Sequence, residues 1–186
     1  MQPTPDIAHV QRGVYADAVY DPAEDTFALM DALEEDAKEI ANATLCVEIG
    51  SGSGCVSAFV AQMVGTSAAY ICTDINRVAT ECTVETAARN KVSLEPVLTS
   101  TLDALLPRTS GQVDLLLFNP PYVVTSDEEE SAAQAHAALG GAWAGGTYGT
   151  ALLQRILDQG LIEQSLAPGG RLYLVAIKQN DPDGAA

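Results

Sequence analysis

Short apolar runs alternate with longer amphipathic stretches along most of the chain. Thr44–Ile49, Ala69–Thr73 and Val113–Phe118 read as continuous hydrophobic strands, with Leu94–Leu98 and Arg171–Ile177 as two further candidates. Between them Cys55–Val64, Arg77–Asn90 and Thr150–Leu166 carry a helical period, the last stopped by Pro168-Gly169-Gly170. An earlier helix starts on a strong local signal: Asp21 as cap, Pro22 at the first helical position, and Glu24 three residues after the cap. Phe27, Met30, Leu33, Ala37 and Ile40 then follow at helical spacing. Strand–helix alternation with buried strands predicts an α/β domain, a mostly parallel sheet covered by helices on both faces. Ligands of such sheets bind beyond the carboxyl ends of the strands, where the strand order switches.

This pattern divides the chain into an irregular arm over 1–20, one domain over 21–180 and a tail over 181–186. The stretch 123–149 reads as a loop, with Asp127–Glu130 as a solvated acidic turn; a loop of that length is usually functional, as a lid over a site is.

Composition narrows the picture. The 186 residues suit a single domain, large enough to bury about 70% of its unfolded surface without disulfides or metal. A hydrophobic fraction of 47% excludes wholesale disorder, and no apolar run approaches the ~20 residues a membrane span needs. The first ten residues lack the basic and apolar regions of a signal peptide, so a cytoplasmic location is expected, with the nucleus as a second compartment. Nine basic and 25 acidic residues give a net charge of -16, which opposes direct binding to a phosphate backbone. The four cysteines, at 46, 55, 72 and 82, form no C-x-x-C pair and stand among apolar neighbours. They read as reduced core residues, and no metal site is expected.

Chemistry enters at Glu48-Ile49-Gly50-Ser51-Gly52-Ser53-Gly54. Glycines let a backbone leave a strand sharply and let a ligand approach, and they feed a helix whose first N–H groups are free. A dinucleotide fingerprint would require glycine at 55, where the chain has Cys55. Asp74 follows Gly54 by twenty residues at the end of the second strand, the place of an acid that accepts ribose hydroxyls. Its alternative role is a helix cap, although Asn76 is better placed to cap Arg77–Asn90. Glu48, a carboxylate at a strand end, needs a partner if buried. A nucleoside with a small charged attachment fits this set, as S-adenosylmethionine does: its ribose on Asp74, its methionine portion against the glycines.

The strand Val113–Phe118 ends in Asn119-Pro120-Pro121-Tyr122. Two prolines cannot continue a central strand and instead hold a rigid corner at the carboxyl edge of the sheet. The Asn119 side-chain oxygen and the Pro120 carbonyl become two outward acceptors beside the Tyr122 ring. A planar NH₂ group offers two donors and a flat face to match them. Amide and exocyclic amine nitrogens are poor nucleophiles, and acceptors aimed at such a nitrogen stabilise the charge it gains as it attacks.

These motifs, with Asp21-Pro22-Ala23-Glu24-Asp25-Thr26-Phe27, Cys72–Asn76 and Ala142–Gly146, resemble the class I methyltransferases of the HemK group. The likeness is greatest to the eukaryotic branch, which methylates the glutamine amide of the Gly-Gly-Gln motif in the class 1 translation release factor. It extends from about Gly13 to Asn180. The resemblance implies a Rossmann-like fold and S-adenosylmethionine as cofactor, S-adenosylhomocysteine being the product. It also implies a small zinc-binding activator protein as partner, with lysine methylation of a histone as a further activity. By motif, Thr26, Glu48, Gly50, Gly52, Gly54, Asp74 and Asn119 would contact the cofactor, and Asn119, Pro120, Pro121 and Tyr122 would hold the substrate. Two positions depart from the family. Where relatives carry an aspartate against the adenine amine, alignment through Leu105-Leu106-Pro107 gives Ser100, followed by Thr101. Relatives also continue into a helix and hairpin, so the C-terminal hairpin is expected to be missing here.

Two other functions fit parts of the pattern. An adenine-N6 methyltransferase would use the same corner, against the net charge of -16. A non-catalytic scaffold would explain Ser100 and the missing hairpin. The family's strand order places Leu94–Leu98 at a sheet edge, where Pro96 is tolerated and no lysine guards Leu94, Val97 or Leu98. With a mean hydropathy of +0.10, that edge is the expected docking place of the activator.

Overall fold

The computed structural model describes residues 2–120 and 151–176. Five strands, β1 (Leu45–Ile49), β2 (Ala69–Asp74), β3 (Glu95–Leu98), β4 (Val113–Phe118) and β5 (Leu166–Leu174), form one sheet in the order β3-β2-β1-β4-β5. Every pairing is parallel. The chain builds outward from β1 to β3, then returns to lay β4 on the other side of β1. The switch point therefore lies between β1 and β4, and the carboxyl ends of both open onto one crevice. The α/β expectation holds, with β3 at an edge.

Among the described residues the helices are α1 (Gly13–Ala16), α2 (Glu24–Glu35), α3 (Ala37–Ile40), α4 (Cys55–Val64), α5 (Arg77–Asn90), α6 (Leu106–Thr109), α7 (Ala151–Asp158) and α8 (Leu161–Ser165). Alternate residues of the central strands feed two cores. Cys46, Leu115 and Leu117 pack with Leu29, Leu33, Phe59 and Val60 of α2 and α4 on one face. Val47, Ile49, Leu116 and Phe118 pack with Leu153 and Ile156 of α7 on the other. Leu115, Leu116 and Leu117 are almost wholly buried, each contributing about 1.5–3 kcal/mol relative to exposure. All four cysteines are free and buried, and burial pushes the thiols of Cys46, Cys55 and Cys82 up to about 12, which leaves them inert.

Several local expectations are corrected. Asp21 does not cap α2: the cap position is Ala23, Pro22 precedes the helix, and the Asp21 carboxylate accepts from Gln11 Nε2 at 2.9 Å. Tyr20, Asp21 and Pro22 are non-helical. The helix expected to reach Ile40 breaks at Asp36, where α3 begins. The arm is not merely irregular: Val10 and Val19 are buried against Ala79 and Cys82 of α5. The last long helix is split by Gly160, which takes a left-handed conformation, φ 62°. Pro168-Gly169-Gly170 does not end a helix but forms an irregularity within β5. Val113 pairs with Leu166 and Leu115 with Arg171, and a Cβ on Gly170 would lie 2.6 Å from the Val113 carbonyl oxygen.

Asp114 fastens the start of the central pair. Its Oδ2 accepts from the Thr44 N–H and hydroxyl, both at 2.7 Å, and from the Leu45 N–H at 3.1 Å. Desolvation opposes the charge, but these bonds outweigh it and hold the carboxyl below 3.8. We expect Asp114→Ala to cost about 1–2 kcal/mol at neutral pH in urea unfolding, from lost charge-assisted hydrogen bonds. Because the folded value is depressed, this contribution is complete above 3.8 and is lost as pH falls through the folded value. Wild type and variant should converge in acid.

Candidate functional site

The crevice at the switch point is a cavity of about 310 Å³. Its floor is the turn after β1. Gly50 and Gly52 have φ 67° and 53°, and a Cβ on either would meet nothing within 4 Å, so the backbone there faces open space. Gly54 has a different reason to be glycine. At φ 73° its Cβ would lie 2.9 Å from Thr83 Cγ2, so it permits the turn to press against α5 and is not among the cavity-lining residues. The turn is held from outside: Ser51 N–H donates to the Thr73 carbonyl at 2.9 Å, and the Thr86 hydroxyl donates to the Ser53 carbonyl at 2.6 Å.

Asp74 leaves the end of β2 and lines the cavity. Its two oxygens accept the N–H groups of Gly52 and Asn76, each at 2.8 Å. Burial nonetheless raises its carboxyl above 3.8, outweighing those bonds. A carboxylate has about four acceptor positions, so two remain for ligand hydroxyls. Asn76 caps α5 as the sequence implied, accepting from the Val78 N–H at 2.9 Å.

Glu48 is buried on β1, and its Oε2 accepts from the Ser57 N–H at 3.1 Å and from the Ser57 hydroxyl. Burial pushes its carboxyl from 4.5 up to about 8 despite those bonds, and the neighbouring Asp74 charge adds to the rise.

The opposite wall is the end of β4. Asn119 and Pro120 line the cavity. The Asn119 Nδ2 donates to Asp25 Oδ2 at 2.9 Å, whereas Asn119 Oδ1 is buried without a hydrogen-bond partner among the described residues. Thr26 is buried in the wall and donates N–H and hydroxyl to Asp25 Oδ1, at 2.7 and 3.3 Å. Ser100 reaches the rim. Thr101 is buried and absent from the lining, and its hydroxyl oxygen accepts from the Asp103 N–H at 3.4 Å. Pro121, Tyr122, the loop 123–149 and Ala142–Gly146 lie outside the described residues.

Sequence reading missed part of the wall. Ala18, Val19 and Tyr20 of the arm line the cavity, as does Asp25, which the motif over 21–27 contains without assigning it a role. The signal available was the polar Asp25 next to Thr26 at the head of an otherwise apolar helix face. The lining holds three carboxylates, Asp25, Glu48 and Asp74, and no lysine or arginine among the described residues. Such a cavity favours a cationic ligand. A sulfonium with an ammonium group fits the charge, and the acidic end of β2 fits a ribose.

Residues 7–140 match the family model for the methyltransferase small domain. Methyltransferase HEMK2 of Mus musculus is 51% identical over 181 residues, 97% of this chain and 81% of that protein. The eRF1 methyltransferase catalytic subunit mtq2 of Schizosaccharomyces pombe is 38% identical over 176 residues, 87% of this chain and 74% of that protein. Among solved structures, ribosomal protein L11 methylase from Lactobacillus delbrueckii subsp. bulgaricus aligns with a TM-score of 0.58 at 16% identity, over 90% of this chain and 69% of its own. That likeness bears on the fold, which is the Rossmann-like class I methyltransferase fold.

The buried Glu48 has a measurable signature in the ligand-free protein. Its folded value stands above the unfolded 4.5, so between 4.5 and about 8 the folded state retains a proton that the unfolded state has released. The favourable contribution is complete below 4.5 and is lost as pH rises through about 8. Glu48→Gln removes that dependence. The variant should gain stability relative to wild type across this interval in urea unfolding; a pH-independent difference would mean that Glu48 titrates normally.

Proposed function

The chain belongs to the HemK-type class I methyltransferases, in their eukaryotic branch, and from that premise we propose how its own site works. It transfers a methyl group from S-adenosylmethionine to the side-chain amide nitrogen of glutamine in the Gly-Gly-Gln motif of a translation release factor. The observation that carries this reading is the buried Asn119 Oδ1, which has no hydrogen-bond partner among the described residues and stands beside Pro120. An unsatisfied buried acceptor is costly, and an amide N–H of the substrate satisfies it.

When bound, S-adenosylmethionine supplies an electrophilic methyl on a positively charged sulfur. Asp74 would accept the ribose hydroxyls, Gly50 and Gly52 would leave room for the methionine portion, and Glu48 would answer the charge of its ammonium group. Thr26 and the arm residues close the wall, and Ser100 stands at the rim where relatives carry a carboxylate. Asn119 Oδ1 and the Pro120 carbonyl would hold the two N–H groups of the substrate amide, a role that the sequence motif alone extends to Pro121 and Tyr122. Held so, the amide nitrogen would be aligned to take the methyl carbon as the carbon–sulfur bond broke; the electron pair of that bond would stay on sulfur, and the nitrogen would release one proton to water. Charge that grows on nitrogen in this step strengthens its bonds to both acceptors, which is where the acceleration arises. An adenine amine would fit the same acceptors, but a net charge of -16 and a cavity lined without cations among the described residues oppose a polyphosphate substrate.

Mass spectrometry of release factor incubated with the protein, its activator and cofactor tests the activity: a single methyl on the Gly-Gly-Gln glutamine is expected. Asn119→Ala should lower turnover by about 100-fold or more, with cofactor affinity within about twofold of wild type, because the lost acceptor acts mainly in the transition state. Near-normal turnover would overturn the assignment.

The partner belongs to the same reading. The edge strand β3 leaves backbone groups unpaired on one side, Leu98 is 57% exposed, and Val97 is half-buried. A small zinc-binding activator adds to this edge and covers it. No helix among the described residues is long and apolar enough to cross a membrane. From the substrate, not from that absence, we infer a cytoplasmic location, with the nucleus as a second compartment. Val97→Lys should weaken heterodimer formation at least tenfold in titration calorimetry while leaving the thermal unfolding of the isolated chain nearly unchanged. Equal affinity of variant and wild type would move the interface elsewhere.

A further inference from the structure

Three elements bring polar side chains together behind the Asn119 amide. Tyr20 comes from the arm, Asp25 from the first turn of α2, and Asn119 from the end of β4. The Tyr20 hydroxyl donates to Asp25 Oδ1 at 3.0 Å, and Asn119 Nδ2 donates to Asp25 Oδ2 at 2.9 Å. Sequence patterning assigned neither Tyr20 nor Asp25 a role.

A side-chain amide has two nearly isosteric ends, and its terminal torsion has a broad, roughly two-fold profile. Packing alone therefore does little to decide which end of Asn119 faces the substrate. An ionised carboxylate only accepts, so Asp25 pairs with the NH₂ end and repels the oxygen. That interaction turns Oδ1 away from Asp25, and Oδ1 is the atom left without a partner among the described residues. The bond is charge-assisted, so it also draws the amide's electron density toward Oδ1 and makes it a stronger acceptor. Tyr20 and the Thr26 N–H, both on Asp25 Oδ1, keep the other oxygen pointed at Asn119.

We propose that Asp25, held by Tyr20, is a positioning residue for methyl transfer: it fixes the Asn119 amide with its oxygen toward the acceptor nitrogen. The proposal rests on the reading that Asn119 receives the substrate amide. It carries a consequence for specificity. With an oxygen fixed outward, the corner accepts only N–H donors, and a glutamate in place of glutamine meets acceptor against acceptor.

The test is a charge-swapped pair assayed for methyl transfer to release factor, with cofactor affinity measured by calorimetry. Asn119→Asp keeps an acceptor oxygen but removes the NH₂ that pairs with Asp25, so two carboxylates repel each other, the acceptor swings out of line, and kcat should fall by about 100-fold. Adding Asp25→Asn restores a donor opposite the new carboxylate, and the double variant should regain at least tenfold in kcat over Asn119→Asp. Tyr20→Phe alone should lower kcat about five- to tenfold, the net worth of one ordinary hydrogen bond, with KM and cofactor affinity within twofold. A merely structural role predicts no rescue and no split between kcat and KM. A double variant no better than Asn119→Asp, or Tyr20→Phe losing cofactor affinity instead of kcat, would overturn the proposal. Asn119→Ala serves as the control. If it turns over normally, the corner itself is misread. If it is inactive while Tyr20→Phe and Asp25→Asn work at the wild-type rate, only the positioning role falls.

Discussion

The parallel pairing of β1 with β4 is the constraint on which the site depends. Its register sets Glu48 beside Leu117 and Ile49 beside Phe118, so Gly50 and Asn119 emerge side by side. The pairing of β1 with β2 sets Ile49 beside Thr73, which delivers Asp74 to the same edge. Side chains alternate along a strand, so a slip of one residue in either pair would send Glu48 and its neighbours to the wrong face. Two separate cores resist that slip. Cys46, Leu115 and Leu117 are committed to one side, and Val47, Ile49, Leu116 and Phe118 to the other. Packing thus fixes the relative position of groups that come from distant parts of the sequence, with no covalent link among them.

The cavity so formed concentrates three carboxylates, and each is tolerated by a different device. Asp74 receives two backbone N–H groups, Glu48 receives both donors of Ser57, and Asp25 receives Tyr20, Thr26 and Asn119. Burial wins over those bonds at Glu48 and Asp74, whose carboxyls are raised. Bringing in a cation reverses that balance, so part of the ligand's binding energy comes from relieving a cost already present in the folded protein. The site is therefore selective by charge before any specific contact is made.

Much of this arrangement could be read from residue order, because strand hydrophobicity and glycine placement are local signals. The limits of β4 and α5 were legible to the residue, and Asn76 was recognisable as a cap, since capping needs only a side-chain oxygen next to a helical period. The start of α2 was misread for the opposite reason. Asp21 has every attribute of a cap, but its carboxylate is taken by Gln11, a partner that only tertiary packing supplies. The irregularity at Pro168–Gly170 was missed likewise: it looks like a helix stop, and the pairing of Val113 with Leu166 and of Leu115 with Arg171 places it inside a strand, whereas Gly160, a helix-stop residue in its own right, divides the helix ahead of it. Gly54 carried the motif's spelling but serves contact with Thr83, a distinction that needs the space around a missing Cβ.

The arm shows how a segment with no period of its own becomes part of the site. Asn76, while capping α5, donates its Nδ2 to the Ala18 carbonyl at 2.6 Å, which holds Ala18, Val19 and Tyr20 against the cavity. Farther back, His9 is buried with its Nε2 near the Cys82 carbonyl and the Thr86 hydroxyl, at 3.3 and 3.1 Å. A carbonyl only accepts, and the Thr86 hydrogen is committed to the Ser53 carbonyl, so Nε2 carries the ring proton and donates to both. The Thr86 hydroxyl is then shared between the arm and the glycine turn. Since Asn76 likewise touches both the arm and Asp74, displacing the arm removes a partner from each of the two residues that hold the turn and the acid. Wall and floor of the cavity are in this way ordered by the same two residues of the α5 segment, one at its cap and one in its third turn.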